Sequence, residues 1–166
     1  MDYEFAYRYA AASRLDEGGG LELATSGGST PEGEAAHPFF FSGFMERPDV
    51  VAAGLLAVAR VARTRFYVPP GMVPTPGGGL TRIGMLDPVV TSTAEGLRFE
   101  SFSVCCGVYA RLDVEASALD ATHRAVGVTN VDVNQPLRAA LASLRAGEPL
   151  HLDVGSEGLT ATTLDG

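Results

Sequence analysis

The residues with the clearest capacity for chemistry form an alternating polar series. Asn130, Asp132 and Asn134 alternate with Val131 and Val133, so one face of a strand would carry three polar groups. If that strand neighbours residues 108–114, the same face gains further charges. The predicted ligand site then comprises Glu100, Arg111, Asp113, Asn130, Asp132 and Asn134. Such a set suits a polar ligand or a cation; the competing interpretation is a solvated sheet face with cross-strand pairs.

Cys105 and Cys106 are adjacent and precede Gly107. Neighbouring side chains of a regular strand point to opposite faces, so the two sulfurs do not readily share one metal ion. In a reducing compartment we expect buried free thiols, with redox switching second and metal binding third. Cys105 and Cys106 are therefore the candidate redox residues.

Other catalytic and cofactor motifs find little support. A zinc site needs about four Cys, His or acidic ligands in recognised spacings, whereas His37, His123 and His151 are isolated along the chain. No G-x-S-x-G motif occurs, and the glycine runs lack the Lys-Ser/Thr ending of a phosphate-binding loop. We therefore assign no catalytic residue, no metal ligand and no cofactor to this chain.

The composition is that of one acidic globular domain. The 166 residues are 46% hydrophobic and 19% charged, with 12 basic and 20 acidic residues giving a net charge of -8. Binding a polyanion requires clustered cations, so this balance argues against nucleic acid as a partner. The N-terminus shows no signal-peptide pattern, and the longest apolar run, residues 50–58, is half a membrane span. We expect a cytoplasmic protein.

The first third of the chain predicts short strands between polar segments. Alternating aromatics at residues 3–7 predict a first strand, and residues 21–25 a second. The Gly-, Ser- and acid-rich segment 26–37 predicts an exposed loop. The phenylalanines at 39–41 and Phe44 are expected in the core.

A helix is predicted from Pro48 and Asp49, because proline and an acidic residue suit a first helical turn. Apolar residues recur after them at helical spacing. Gly54 costs about 1 kcal/mol relative to alanine inside a helix, so we expect a neighbour packed closely there. The Pro- and Gly-rich residues 68–85 predict a long loop.

The second half of the chain predicts mainly β-strands. Residues 89–93, 97–105, 108–114 and 126–133 are rich in β-branched or aromatic residues, and a bulge or a change of covering layer is expected in 97–105. Asn134 is expected to cap a second helix that ends at Gly147. A final hairpin is predicted from 150–154 and 159–164. The fold class is therefore α+β, a mainly antiparallel sheet packed by two main helices.

Several strings of the chain resemble the N-terminal region of bacterial SWIM zinc-finger family proteins. The most specific runs from Cys105 to Val114, CCGVYARLDV, and is joined by TNVDVN at 129–134 and PLR at 136–138. Shorter matching strings are TSGG at 25–28, FSGF at 41–44, LDPVVT at 86–91 and RFESFS at 98–103. The likeness covers nearly the whole chain.

The resemblance implies a place in a larger assembly. The family's zinc motif, C-x-C followed by C-x-H, lies downstream of this region, so zinc is expected only there. Suspected family roles are DNA or protein interaction, and members often accompany MoxR-type AAA+ ATPases and von Willebrand A-domain proteins. Asp165 and Gly166 form a hairpin-turn signal, and we expect this single domain, residues 1–166, to be an N-terminal fragment of a longer protein.

Three functions remain open from the sequence; the third, a nucleic-acid module, rests on the family resemblance and is opposed by the acidic charge balance. The first is a non-catalytic protein-interaction or assembly module of a SWIM-type protein. The second is a small polar-ligand-binding or enzymatic domain that uses the predicted sheet face and has Cys105 or Cys106 nearby. Convergence of the charged groups in a concave site would favour the second, and their pairing with one another would favour the first.

Overall fold

The computed structural model describes residue 9 and residues 12–36, 38–64, 87–145 and 148–155. Two α-helices pack with two mostly antiparallel sheets, which confirms the α+β prediction. The predicted first strand, the 68–85 loop and the second arm of the final hairpin lie outside the described residues. Within those ranges, no helix has the length and apolarity needed to cross a membrane.

The five-stranded sheet has the order β1-β2-β11-β5-β9. Its strands are β1 (Arg14–Leu15), β2 (Gly20–Leu23), β5 (Phe41–Met45), β9 (Leu119–Arg124) and β11 (His151–Val154). β11 pairs parallel to β2 and antiparallel to β5. Leu150, Leu152 and Val154 are all fully buried, so alternate residues of this segment face the core.

The six-stranded sheet is antiparallel throughout and has the order β4-β3-β10-β6-β7-β8. Its strands are β3 (Thr25–Thr30), β4 (Gly33–Ala35), β6 (Val89–Thr93), β7 (Gly96–Phe102), β8 (Tyr109–Glu115) and β10 (Gly127–Val131). A short 3-10 helix, Ala116–Ala118, follows β8.

The structure corrects several local predictions. Residues 26–37 were expected to be an exposed loop, yet most of them form the β3–β4 hairpin, in which Ser26 is buried. Of the two alternatives expected for 97–105, the bulge is excluded, because the pairing of β7 with β8 runs without a register shift from Gly96 to Phe102. Phe44 was expected in the core but is 47% exposed, because it points to the opposite face of β5 from Phe41.

Helix α1, Pro48–Arg63, matches the predicted start and supplies much of the core. It packs on β7 and β8 and buries Val51, Leu55 and Val58. A Cβ atom added to Gly54 would lie 2.8 Å from both methyl carbons of Leu112 on β8. The predicted close approach at Gly54 is therefore confirmed, with the sheet as the neighbour.

Helix α2, Gln135–Ser143, begins at the predicted cap. The Asn134 side chain accepts a hydrogen bond from the Leu137 backbone N–H at 2.9 Å, and Pro136 occupies the first turn. Leu137 and Leu141 bury the apolar side of the helix. The polar series at 130–134 therefore belongs partly to a strand end and partly to a helix cap.

Candidate interaction site on the six-stranded sheet

The outward side of β7 and β8 carries a compact group of charged and aromatic side chains. Residues of one strand that face solvent stand directly opposite their counterparts: Arg98 pairs with Asp113, Glu100 with Arg111 and Phe102 with Tyr109. The residues between them point inward, and Phe99, for example, is buried in the core beneath α1. We call this group the β7–β8 outer face; it comprises Arg98, Glu100, Phe102, Tyr109, Arg111 and Asp113.

Ion pairs order the charged half of this face. The Asp113 carboxylate accepts from Arg98 Nε at 2.8 Å and from Arg111 Nε at 2.5 Å. These hydrogen bonds, that of Arg111 first, hold the pKa of Asp113 below its usual value. Exposed ion pairs of this kind are screened by solvent, so they position side chains more than they stabilise the fold.

Aromatic side chains form the other half. The rings of Phe102 and Tyr109 lie 5.0 Å apart, and their residues are 49% and 46% exposed. The Tyr109 hydroxyl donates to the Glu100 carboxylate, and this bond raises the pKa of the phenol. Half-exposed aromatic rings beside two arginines have the composition of protein-interface hot spots.

The structure brings together only half of the predicted ligand site. Glu100, Arg111 and Asp113 share the β7–β8 outer face, and each is hydrogen-bonded to another residue of that face. Asn130 lies in the same sheet row as Arg111, but β6 and β7 separate their strands. At three strand spacings they are about 14 Å apart. The condition set from the sequence, that the strands be neighbours, is therefore not met.

Asp132 and Asn134 lie past the end of β10 in a second, structural network. The Asn134 amide nitrogen donates to Asp132 at 2.8 Å and to the Ser13 carbonyl at 2.9 Å, and the Ser13 backbone N–H donates to Asp132 at 3.3 Å. These bonds tie the chain before β1 to the start of α2. They account for both residues as parts of the scaffold.

Asp87 stands beside this network and anchors the end of α1. Arg63 donates to it at 2.7 Å, and the Tyr9 hydroxyl donates at 3.1 Å. Burial raises the pKa of Asp87 above its ordinary value, although Arg63 and Tyr9 act in the opposite direction. Arg138 lies in the same region, donates to the Val133 carbonyl at 2.8 Å, and has its pKa lowered by burial.

The two cysteines occupy the turn between β7 and β8, not a strand. Cys106 is exposed and has a φ of 56°, and its N–H donates to the Ser103 carbonyl at 2.7 Å. Cys105 is half-buried, with its sulfur 3.4 Å from the Ser103 hydroxyl. The expectation of two buried thiols is wrong because strand β7 ends at Phe102 and the turn carries Cys106 into solvent.

A serine, a histidine and an aspartate line up on the five-stranded sheet, an arrangement the sequence analysis did not predict. The Ser42 hydroxyl lies 3.4 Å from His151 Nε2, and His151 Nδ1 lies 3.3 Å from Asp153. Acyl transfer also needs preorganised donors for the oxyanion. Ser42 sits inside β5, which pairs with a strand on each side and thereby uses the nearby backbone N–H groups. We interpret the series as a hydrogen-bonded row of side chains on the sheet surface.

The sheet edges differ in how well they are protected. β1 and β4 are edge strands of two and three residues, and β9 carries a register shift opposite Ser42 and Gly43. Short strands and bulges are common protections against edge-to-edge association. β8 is a regular edge strand of seven residues. Among the strands described here, it is the best template for another chain.

Sequence reasoning missed Arg98, Phe102 and Tyr109 as members of the site. The sequence shows that these residues alternate with apolar ones. It does not show which residues of β7 and β8 stand opposite each other, because that depends on the turn running from residue 103 to 108. Ser42 and His151 gave no local signal, because they are 109 positions apart in the sequence.

The fold and site define an α+β protein with an exposed charged and aromatic sheet face. No group of three or more His, Cys, Asp or Glu residues suited to a metal ion occurs in the part of the chain that the structure describes. No protein family, curated protein or solved structure matches this chain.

Proposed function

We propose that this domain is a non-catalytic protein-interaction module that docks a protein partner on the β7–β8 outer face. The observation that carries the proposal is the Phe102–Tyr109 pair, half exposed and flanked by charges already ordered by ion pairs. A few residues provide most of the binding energy in protein interfaces, and tyrosine and arginine are enriched among them. Ordered side chains also lose less conformational entropy on binding.

The pairing of the charged groups supports docking over catalysis. Glu100 is engaged by Tyr109, and Asp113 by two arginines, on an exposed strand surface. A small-ligand or enzymatic site needs such groups to converge in a concave, largely apolar pocket. Because these groups are engaged with one another on an exposed strand surface, the face suits a protein partner better than a small molecule.

The resemblance to the SWIM zinc-finger family suggests the setting. On that basis the module belongs to a longer, cytoplasmic bacterial protein whose zinc motif lies downstream. Its partners are then a MoxR-type AAA+ ATPase or a von Willebrand A-domain protein. The net charge of -8 is consistent with a protein partner and argues against nucleic acid.

A matched pair of phenylalanine variants tests this proposal. Phe102→Ser should weaken binding of the purified ATPase or A-domain protein by about tenfold or more, which corresponds to about 1.4 kcal/mol. The reason is that burial of an aromatic ring at the centre of an interface contributes strongly to affinity. Calorimetry or biolayer interferometry with the intact chain provides the measurement.

Phe44→Ser is the control, because Phe44 is 47% exposed, close to the 49% of Phe102, but lies on the other sheet. It should leave the affinity unchanged. Equal losses in the two variants, or no binding of either candidate partner by the unmodified chain, would contradict the proposal.

A further inference from the structure

Among the strands that the structure describes, β8 has a pairing partner on one side only, and its other edge is self-complementary in sequence. If a second copy pairs antiparallel with β8 about a twofold axis at Leu112, Arg111 stands opposite Asp113 of the second copy, and Asp113 opposite its Arg111. In the same register, Ala110 faces Val114 on the buried side. Opposite charges and apolar pairs directly across two strands stabilise a sheet, whereas like charges there destabilise it.

The arginine can serve both copies. Arg111 uses Nε for Asp113 of its own strand, and a guanidinium has five N–H donors. Its remaining donors can therefore reach the carboxylate of the second copy. A twofold pairing also repeats every contact, as expected for a closed dimer.

An apolar sector of α1 runs beside the same edge. Gly54 lies against Leu112 of β8. The next positions around the helix from Gly54 are Val61, Val50, Ala57 and Ala53. At 3.6 residues per turn, these four residues lie within an arc of about 80°. Val50 is 47% exposed, Ala53 and Ala57 are exposed, and Val61 is half-buried. Solvent is an unfavourable environment for such a stripe, and small residues there let a second helix approach closely.

Helix α1 also runs along the strands, as it must if the helices of two paired copies are to pack side by side. The Val58 carbonyl accepts from Ser101 at 2.7 Å, and the Thr64 carbonyl accepts from the Val104 N–H at 2.9 Å. The helix therefore runs alongside β7 and β8. Strands are about 4.8 Å apart, so a helix centred over the β7–β8 pair would lie about 10 Å from its twofold mate. Packed helices have interaxial distances of about 8–10 Å.

We infer that the chain forms a twofold homodimer in which β8 pairs with β8 of a second copy and the exposed sectors of the two α1 helices pack together. The two six-stranded sheets then become one continuous sheet, and the outer faces of both copies point to the same side. This self-association goes beyond the docking of another protein. It uses the strand edge, α1 and two members of the outer face, Arg111 and Asp113, and leaves Phe102 for the partner.

Charge variants test the register directly. R111D places carboxylates opposite carboxylates in a dimer of that variant, and D113R places guanidinium groups opposite each other. Each variant alone should dimerise at least about tenfold more weakly than the unmodified chain, because both symmetric pairs turn repulsive. An equimolar mixture should recover the dimer, since every pair between the two variants is again attractive. Sedimentation equilibrium of the purified proteins measures all three samples.

A helix variant tests the second half of the interface. A57K should also produce monomers, because it introduces a charge where the helices meet. A142K is the matched control: Ala142 is likewise an exposed alanine on a helix, but it lies on α2. Circular dichroism checks that both retain the fold, as expected for changes at exposed positions.

The outcomes separate the two proposals. A monomeric unmodified chain at about 100 μM, or a variant mixture that stays monomeric, would overturn the homodimer. Neither result bears on partner binding, which Phe102→Ser measures on its own. Conversely, a dimer restored by mixing stands even if neither candidate partner binds.

Discussion

Replacement of Phe99 by alanine should lower the free energy of unfolding by about 3–5 kcal/mol, the range for removing a buried phenylalanine. Phe99 is fully buried at the centre of β7, within the core cluster. Its removal leaves a cavity that a strand paired on both sides cannot easily close. Urea denaturation monitored by circular dichroism measures the loss.

The matched control is Phe102→Ala, three residues further along the same strand. Phe102 is 49% exposed on the outer face, so its loss should cost less than about 1 kcal/mol. This contrast tests which side of β7 faces the core. Similar losses for the two variants would mean that the assignment of the outer face is wrong.

Replacement of Gly96 by alanine should destabilise the fold by about 3 kcal/mol. Gly96 has a φ of +145°, a conformation that costs a residue with a side chain about 1–3 kcal/mol. A Cβ atom there would also meet the Val114 carbonyl oxygen at 2.1 Å, and that oxygen belongs to the paired backbone of β8. The strands must therefore move apart at the end of the pair that lies opposite to the connecting turn.

Gly107→Ala provides the control at the other end of the same strand pair. Its added Cβ atom has Cys105 Sγ as its nearest contact, at 3.6 Å, an ordinary packing distance. This variant should change the unfolding free energy by less than about 0.5 kcal/mol. If both glycines tolerate alanine equally, the turn geometry at Gly96 is not as described.

Local patterns were sufficient to predict the main elements. Proline and acid at positions 48 and 49 placed the start of α1, and the side chain of Asn134 caps α2 as its type suggested. In β8, Arg111 and Asp113, which were predicted to share one face, do lie on the same exposed face. These features depend on chemistry within a few residues, which a sequence displays directly.

The division into two sheets could not be read in this way. β3 follows β2 after a single residue, yet the strands belong to different sheets. The segment 25–30 has the small polar residues of a loop, but hydrogen bonds to β4 and β10 hold it as a strand. Tertiary pairing overrode the local composition there.

The sequence predicted only part of the candidate site, because it does not show the strand order. Types and alternation identified Glu100, Arg111 and Asp113, which do lie together. Only the strand order shows that Asn130 is separated from them. Only the folded path of the chain shows that Asp132 lies beside Ser13, because the two residues are far apart in the sequence. A face of a single strand is thus predictable, whereas a face made by several strands requires the topology.

Hydroxyl-radical footprinting of the complex with the ATPase or A-domain protein tests the central claim most directly. It reports the exposure of aromatic side chains, and Phe102, Tyr109 and Phe44 are all half exposed in the free chain. We predict that the partner protects Phe102 and Tyr109 from oxidation and leaves Phe44 reactive. Protection of Phe44 with Phe102 and Tyr109 still oxidised would contradict docking on the β7–β8 outer face.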